Sequence, residues 1–277
     1  MYRLVDSDGG LVSMRIALGL EYDGHRFCGW QTQPEGCGVQ NRLEQALSDM
    51  AGHVVGVVAA GRTDAGVHAL CQVVHFDTAT ERPLSAWVRG INANLPIELR
   101  VLWAQYVPDD FHARFSARRR DYQFVLYNSP VAPAVMANKS SWFHLPLDVE
   151  KMAEAAKFLQ GEHDFSAFRA SECQAKSPIR TLYQAEVKKH GDFIIFNFSG
   201  NAFLHHQVRN MVGALVYVGK GSHEPSHIQT LLQARDRTKS PPTFSSDGLY
   251  LTGVGYEAHW GLPSTRRYIQ FFTSNDN

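Results

Sequence analysis

The chain has 277 residues, of which 44% are apolar and 19% charged, with 16 Phe, 10 Tyr and 5 Trp. That composition supports one large domain or two ordinary ones around a sizeable core, and it excludes wholesale disorder. Lys plus Arg and Asp plus Glu each total 27, so net charge is zero and any grip on a polyanion must come from local clusters of basic side chains.

Residues 1–13 read as a tail, since Asp6, Ser7, Asp8, Gly9 and Gly10 offer nothing to pack. From Met14, RIALGLEY alternates as a strand does, and Asp23-Gly24 signals a turn. Apolar residues at 39, 43, 46, 47 and 50 predict a helix over Val39–Met50, stopped by Gly52. VVGVVAA (54–60) and QVVHF (72–76) read as strands, 84–93 as a helix and 99–107 as a strand. A second cycle starts near Arg120. DYQFVLYN is a strand, Val149–Leu159 a helix, and TLYQAEVKKH with FIIFNFSG a hairpin around Gly191-Asp192. Amphipathic helices are expected over 205–218 and 225–235, and a late strand over 249–257. The reading is α+β, with an N-terminal lobe at 14–115, a C-terminal lobe at 116–260 and a tail at 261–277.

The cysteines at 28, 37, 71 and 173 match neither a zinc pattern nor a thioredoxin pair. Cys28 and Cys37 could approach across a loop, but no bridge is expected in the reducing compartment that this low cysteine density suggests. The first residues lack the apolar core of a secretory signal, and the apolar runs fall far short of a membrane span. A cytoplasmic protein with no membrane partner is expected.

Charge is uneven along the chain. FHARFSARRR (111–120) carries Arg114, Arg118, Arg119 and Arg120 with no acid. Residues 193–223 hold no acid either, but include His205, His206, Arg209 and Lys220 near Phe196, Phe198 and Phe203. In 165–185, Arg169, Lys176 and Arg180 face a single Glu172. Basic residues interleaved with aromatics suit looped RNA, with guanidiniums for phosphates and π-faces for splayed bases. Ordinary solvated faces over an aromatic core would look the same.

GRTDAGVHA (61–69) follows a strand and carries Gly61 and Gly66, which permit close backbone approach to a ligand. Arg62 and Asp64 alternate, so an extended loop points both the same way. A guanidinium nearby keeps a carboxylate ionised, and an ionised carboxylate in a cleft serves as nucleophile or base. A turn whose Asp caps the loop and pairs with Arg62 accounts for the same residues. Asp64 could also ligate Mg²⁺, but no second acid lies near it in sequence.

GRTDAGVHA, together with RIALGLEYDGHRFCGWQTQP, resembles the TruA family of tRNA pseudouridine synthases. SARRRDYQFVLYN, GNAFLHHQVRNMVGAL and GLYLTGVGY extend the resemblance, in order, from about Met14 to Tyr256. It implies two RNA-recognition-like halves, antiparallel sheets with helices on one face, around a basic cleft. The implied activity is isomerisation of uridine to pseudouridine at positions 38, 39 and 40 of the tRNA anticodon stem-loop, by a homodimer. Asp64 then matches the catalytic aspartate, Arg62 and Arg209 the guanidiniums that orient it, and Tyr122 the aromatic stacked on the flipped base. Candidate RNA contacts are Arg114, Arg118, Arg119, Arg120, Arg169, Arg180, His205 and Lys220. One departure is Asp121 with Gln123-Phe124, where many relatives are basic or aromatic.

An isomerisation needs no redox cofactor, nucleotide or metal, and none is expected. A Walker loop, a Rossmann glycine pattern and a metal-ligand cluster are all missing from the sequence. Arg209 falls one turn after His205 on the expected helix, beside the Val208, Met211, Val212, Leu215 stripe. Adjacent helical residues diverge by about 100°, which argues against a metal held by His205 and His206. Two rival functions remain: a catalytically silent tRNA-binding protein or RNA chaperone, and a metal-dependent nuclease using Asp64.

Overall fold

The computed structural model describes residues 13–269. The chain divides into two units: one takes the residues up to Arg118 together with Gly253–Arg266, the other Arg119–Thr252 and the residues from Arg267.

The first unit begins with β1 (Met14–Tyr22), α1 (Val39–Ala51), β2 (Val58–Ala59), β3 (His68–Thr78), α2 (Leu84–Asn94) and β4 (Leu99–Val107). β1 is central, antiparallel to β3 on one edge and to β4 on the other. Its Ile16, Ala17, Leu18 and Leu20 are wholly buried. The helical spacing predicted for α1 puts Val39, Leu43, Ala46, Leu47 and Ala51 on its buried face. The helix ends at Gly52, whose φ of 75° lets its N–H reach Ser48 O, as a left-handed cap requires. α2 buries Trp87 completely, edge-on to Phe76 of β3 at 5.4 Å. The strand expected over 54–60 shrinks to β2. Val55 N–H goes to Ser48 Oγ and Val57 N–H to Glu44 Oε1, so side chains of α1 take the donors that a ladder would have used. Val54 is consequently 93% exposed despite its β-branched side chain.

The second unit holds β5 (Arg119–Asn128), β6 (Ser141–Phe143), α3 (Val149–Lys157), β7 (Gly161–Asp164), β8 (Ile179–His190), β9 (Phe193–Gly200), α4 (Gln207–Gly219) and α5 (His227–Ala234). The strand order is β5-β9-β8-β7, all antiparallel, with the short β6 running parallel to β5. The hairpin expected around Gly191 joins β8 to β9, and β6 and β7 are additions that their short, mixed sequences did not announce. Asp148 caps α3 by accepting Lys151 N–H at 3.0 Å.

α4 corrects the expectation of an amphipathic helix over 205–218. Of its residues, only Arg209 and Tyr217 escape full burial. A helix apolar on nearly every side belongs inside its domain, and α4 is the core of this unit. It also starts later than expected. His206 adopts a left-handed conformation (φ 60°) at the cap, so His205 lies outside the helix and shares no helical face with Arg209.

β10 (Leu249–Gly255) carries the chain from the second unit into the first, the change falling between Thr252 and Gly253. Part of the expected C-terminal tail runs back along it. Val254 N–H donates to Thr265 O in the first unit, and Arg267 N–H to Thr252 O in the second. Residues 1–12 and 270–277 of the expected tails lie outside the described residues. Each unit is a mixed, mostly antiparallel α+β arrangement, and among the described residues no helix is long and apolar enough to cross a membrane.

Candidate active site

Asp64 stands in the loop between β2 and β3. Gln72 Nε2 donates to Gly61 O at 2.7 Å at the start of the loop. A turn follows, closed by Val67 N–H to Asp64 O at 3.2 Å, with Gly66 at a φ of 80°. Thr63 is buried, and its Oγ1 is hydrogen-bonded to Tyr22 Oη of β1 at 2.8 Å. Buried His68 places Nδ1 3.0 Å from the Asp23 carboxylate. Asp64 itself is half-buried and Arg62 exposed. Among the described residues, no ion pair joins Arg62 to Asp64, so the capping pair that the sequence allowed is not formed.

A second segment lies under this loop. Trp30 N–H donates to Thr63 O at 2.9 Å. Gly29 has a φ of 95°, and a Cβ there would come within 2.9 Å of Thr63 O and 3.1 Å of Ala65 N. Only glycine permits backbone to pass so near backbone. The carbonyls of Gly29 and Trp30 then accept the N–H groups of Val39 and Gln40, two donors that the first turn of α1 leaves unpaired. The loop carrying Asp64 is thereby tied to a strand and, through residues 28–30, to a helix.

Cys28 and Cys37 form a disulfide across the base of this segment, with Cα atoms 5.4 Å apart. This corrects the expectation of no bridge. Cys28 N–H donates to Cys37 O, so the local turn brings the two side chains together whatever the overall cysteine density. Cys71 and Cys173 take part in no disulfide.

The second unit supplies the other residues singled out. Tyr122 is half-buried on β5, with Phe203 edge-on to its ring at 5.0 Å. Arg209, in the first turn of α4, donates from Nε to Phe244 O at 2.8 Å, which fixes the plane of its guanidinium. Asp121 is buried beside Arg119 at 3.1 Å, so the acid that departs from the family pattern has a neutralising partner. The His205 and His206 rings lie 4.0 Å apart. The helical divergence argued from their adjacency does not apply, because neither residue is in the helix.

The basic stretches divide by what their side chains touch. Arg120 donates to Asn201 O, Arg169 to Ala175 O and Arg180 to Ser177 O, each bracing a loop. Arg180 is pulled below the ordinary guanidinium range by burial first, and also by the charges of Arg169 and Arg120. Arg118 pairs with Glu257 at 3.1 Å, while Lys220 caps the Tyr217 ring at 3.5 Å. Arg114 lies beside the ring of Phe115.

Sequence reasoning missed Tyr22, Gly29, Trp30 and the Cys28–Cys37 bridge as supports of the Asp64 loop. Their one signal was RIALGLEYDGHRFCGWQTQP, a run whose glycines and aromatics carry no chemistry until it is seen beneath residues 63–65.

Comparison with known proteins shows the family. A family model described as tRNA pseudouridine synthase matches residues 20–116 and 155–257, which include Asp64 and Arg209. The chain is 63% identical over 257 residues to the tRNA pseudouridine synthase A of Methylobacillus flagellatus, covering 93% of this chain and 98% of that one. It is 59% identical to the Nitrosomonas eutropha protein of the same name, covering 91% of each chain. With the Dechloromonas aromatica protein of that name, identity is 57%, over 90% of this chain and 95% of the other.

Proposed function

The chain belongs to the tRNA pseudouridine synthase family, isomerases that turn uridine into pseudouridine in tRNA, and we propose that its targets are positions 38, 39 and 40 of the anticodon stem-loop, with Asp64 as the catalytic carboxylate. The reaction breaks the N1–C1′ bond, turns the freed uracil and joins C5 to C1′; the C5 proton leaves and N1 gains one. It consumes no oxidant, nucleotide or metal.

The observation that carries this reading is the way the Asp64 loop is held. Thr63, next to Asp64, is tied to Tyr22 through its side chain and to Trp30 through its backbone. Asp64 stays only half-buried, as an acid that must meet substrate requires. In this reading Asp64 acts on the ribose or base of an extruded nucleotide as nucleophile or base. Tyr122 stacks on the turning uracil. Arg209, its guanidinium plane set by Phe244 O, holds the carboxylate charged and aimed, and Arg62, exposed and not paired with Asp64, joins it only when substrate is bound. Arg120, Arg169 and Arg180 supply positive charge for RNA phosphates, whose contacts offset the few kcal/mol needed to unstack a stem nucleotide. The functional unit is a homodimer, acting in the cytoplasm where tRNA is found.

Asp64→Asn tests the assignment. With an unmodified anticodon stem-loop RNA tritiated at uridine C5, the variant is expected to release no tritium while binding the RNA within about twofold of wild type. Full release by Asp64→Asn removes Asp64 from the chemistry. Absence of release from the wild-type protein, with binding retained, makes the chain a silent tRNA binder. Wild-type turnover unchanged by EDTA disposes of the metal-dependent nuclease. Mapping pseudouridine in tRNA from cells lacking the protein, with and without complementation, decides positions 38, 39 and 40. Sedimentation of the purified protein decides the dimer.

A further inference from the structure

Among the described residues, Phe115 is the one phenylalanine presented openly to solvent, 70% exposed. It is held there by a rigid turn. Ser116 N–H donates to His112 O at 2.8 Å, and Ser116 Oγ accepts His112 N–H at 3.0 Å. His112 Nδ1 accepts the N–H groups of both Arg114 and Phe115 at 3.2 Å. Ala113, between them, donates its N–H to buried His75 and accepts a hydrogen bond from Tyr256 Oη. A chain pinned at this many points does not display an apolar ring through slackness.

The ring has a support and a charge. The His112 imidazole stacks on it at 4.2 Å and 29° between planes. The Arg114 guanidinium stands 5.7 Å from its centroid, at the outer limit of cation–π range, and leaves the ring largely uncovered. Burial lowers the His112 pKa, with Arg15 and Arg114 adding to the effect, so the supporting imidazole is neutral near pH 7.

We propose that Phe115, backed by His112, is a stacking platform for one unpaired nucleobase of the RNA substrate, with Arg114 taking an adjacent phosphate. This rests on the tRNA reading above and adds a subsite to it. A single exposed ring matches the area of one base face, whereas a protein partner would need a wider apolar patch. The stretch 111–120 offers four arginines and no acid, which suits a polyanion.

The test uses the full-length protein and an anticodon stem-loop RNA, with each loop nucleotide replaced in turn by an abasic site. Binding is read by fluorescence anisotropy in the Asp64→Asn background, and KM and kcat in the wild-type background. Phe115→Leu keeps apolar bulk but removes the π-face. It is expected to weaken binding and raise KM about tenfold, with kcat little changed and an unaltered melting temperature. Phe115→Trp should restore binding. One abasic RNA should bind wild type and Phe115→Leu equally, identifying the stacked base. Equal binding of the intact RNA by wild type and Phe115→Leu overturns the proposal. So does a Phe115→Leu loss that persists for every abasic RNA, or a shift in oligomeric state in place of the binding loss, which would make the ring a protein contact. Turnover with a wild-type KM in Phe115→Leu defeats the platform and leaves the functional reading intact. Base-dependent binding through Phe115 without any pseudouridine product does the reverse.

Discussion

Tyr22 Oη and Thr63 Oγ1 are hydrogen-bonded at 2.8 Å, joining the last residue of β1 to the residue before Asp64. Both are buried, so the bond cannot be exchanged for water without cost. Tyr22→Phe keeps the ring and deletes the hydroxyl, leaving Thr63 Oγ1 without this partner. It should cost about 1–2 kcal/mol in stability. If the bond positions Asp64, kcat should drop several-fold while RNA affinity stays within twofold. Denaturant melts and single-turnover kinetics measure the two effects, and an unchanged kcat would show that the bond is only structural.

Gly29 is the tightest point of the support. Gly29→Ala forces a Cβ to 2.9 Å from Thr63 O at a φ of 95°, a conformation that L-residues resist. A loss of roughly 2–4 kcal/mol is expected from strain plus displacement of the Asp64 loop. Turnover should fall more steeply than in Tyr22→Phe, because backbone rather than a side chain must move. Chemical denaturation and tritium release on the same sample check both statements.

The Cys28–Cys37 bridge closes a short loop, with a sequence separation of 9. The chain-entropy relation for such a loop gives about 2–3 kcal/mol. Wild-type protein should therefore lose melting temperature on addition of dithiothreitol, and a Cys28→Ser/Cys37→Ser variant should melt near the reduced value with or without reductant. Identical melting of oxidised and reduced wild type would show that the bridge adds nothing to stability.

His75 carries a pH dependence of known sign. Burial foremost, then the charges of Arg15 and His112, lower its pKa from 6.5 to about 4, with Asp77 opposing. Its Nδ1 accepts Ala113 N–H, a role that protonation there would abolish. Above pH 6.5 the imidazole is neutral folded or unfolded, and no linkage arises. As pH falls from 6.5 toward 4, only the unfolded chain takes the proton, so stability declines through that window and levels off below it. Melting temperature followed over the window should fall less steeply in His75→Asn than in wild type. Parallel curves would refute the assignment.

Much of the fold was legible because its elements announce themselves locally. The β1 alternation, the 39/43/46/47 spacing of α1 with Gly52 behind it, and the hairpin at Gly191-Asp192 are short-range patterns set by backbone period and turn chemistry. Three elements differ from their local pattern. Residues 54–60 look like a strand, but helix side chains take their donors. His205 looks helical until His206 turns left-handed. α4 looks amphipathic, although only Arg209 and Tyr217 avoid complete burial. In the first case a tertiary neighbour overrode local propensity, in the second a left-handed residue delayed the helix, and in the third the helix lies inside its unit.

The candidate site divides along the same line. Asp64, Arg62, Tyr122 and Arg209 were named from sequence because their side-chain types stand in a recognisable order, and covalent order survives without a fold. The supports beneath Asp64 were not. Gly29 lies far from Thr63 along the chain, and nothing in a glycine indicates what will press against it. Sequence by itself determined which groups can do chemistry, because that depends on functional groups and charge. Only the tertiary structure decided which of them are braced, bridged or displayed, because close approach, a hydrogen bond between distant residues and the exposure of a ring such as Phe115 exist only once the chain has packed.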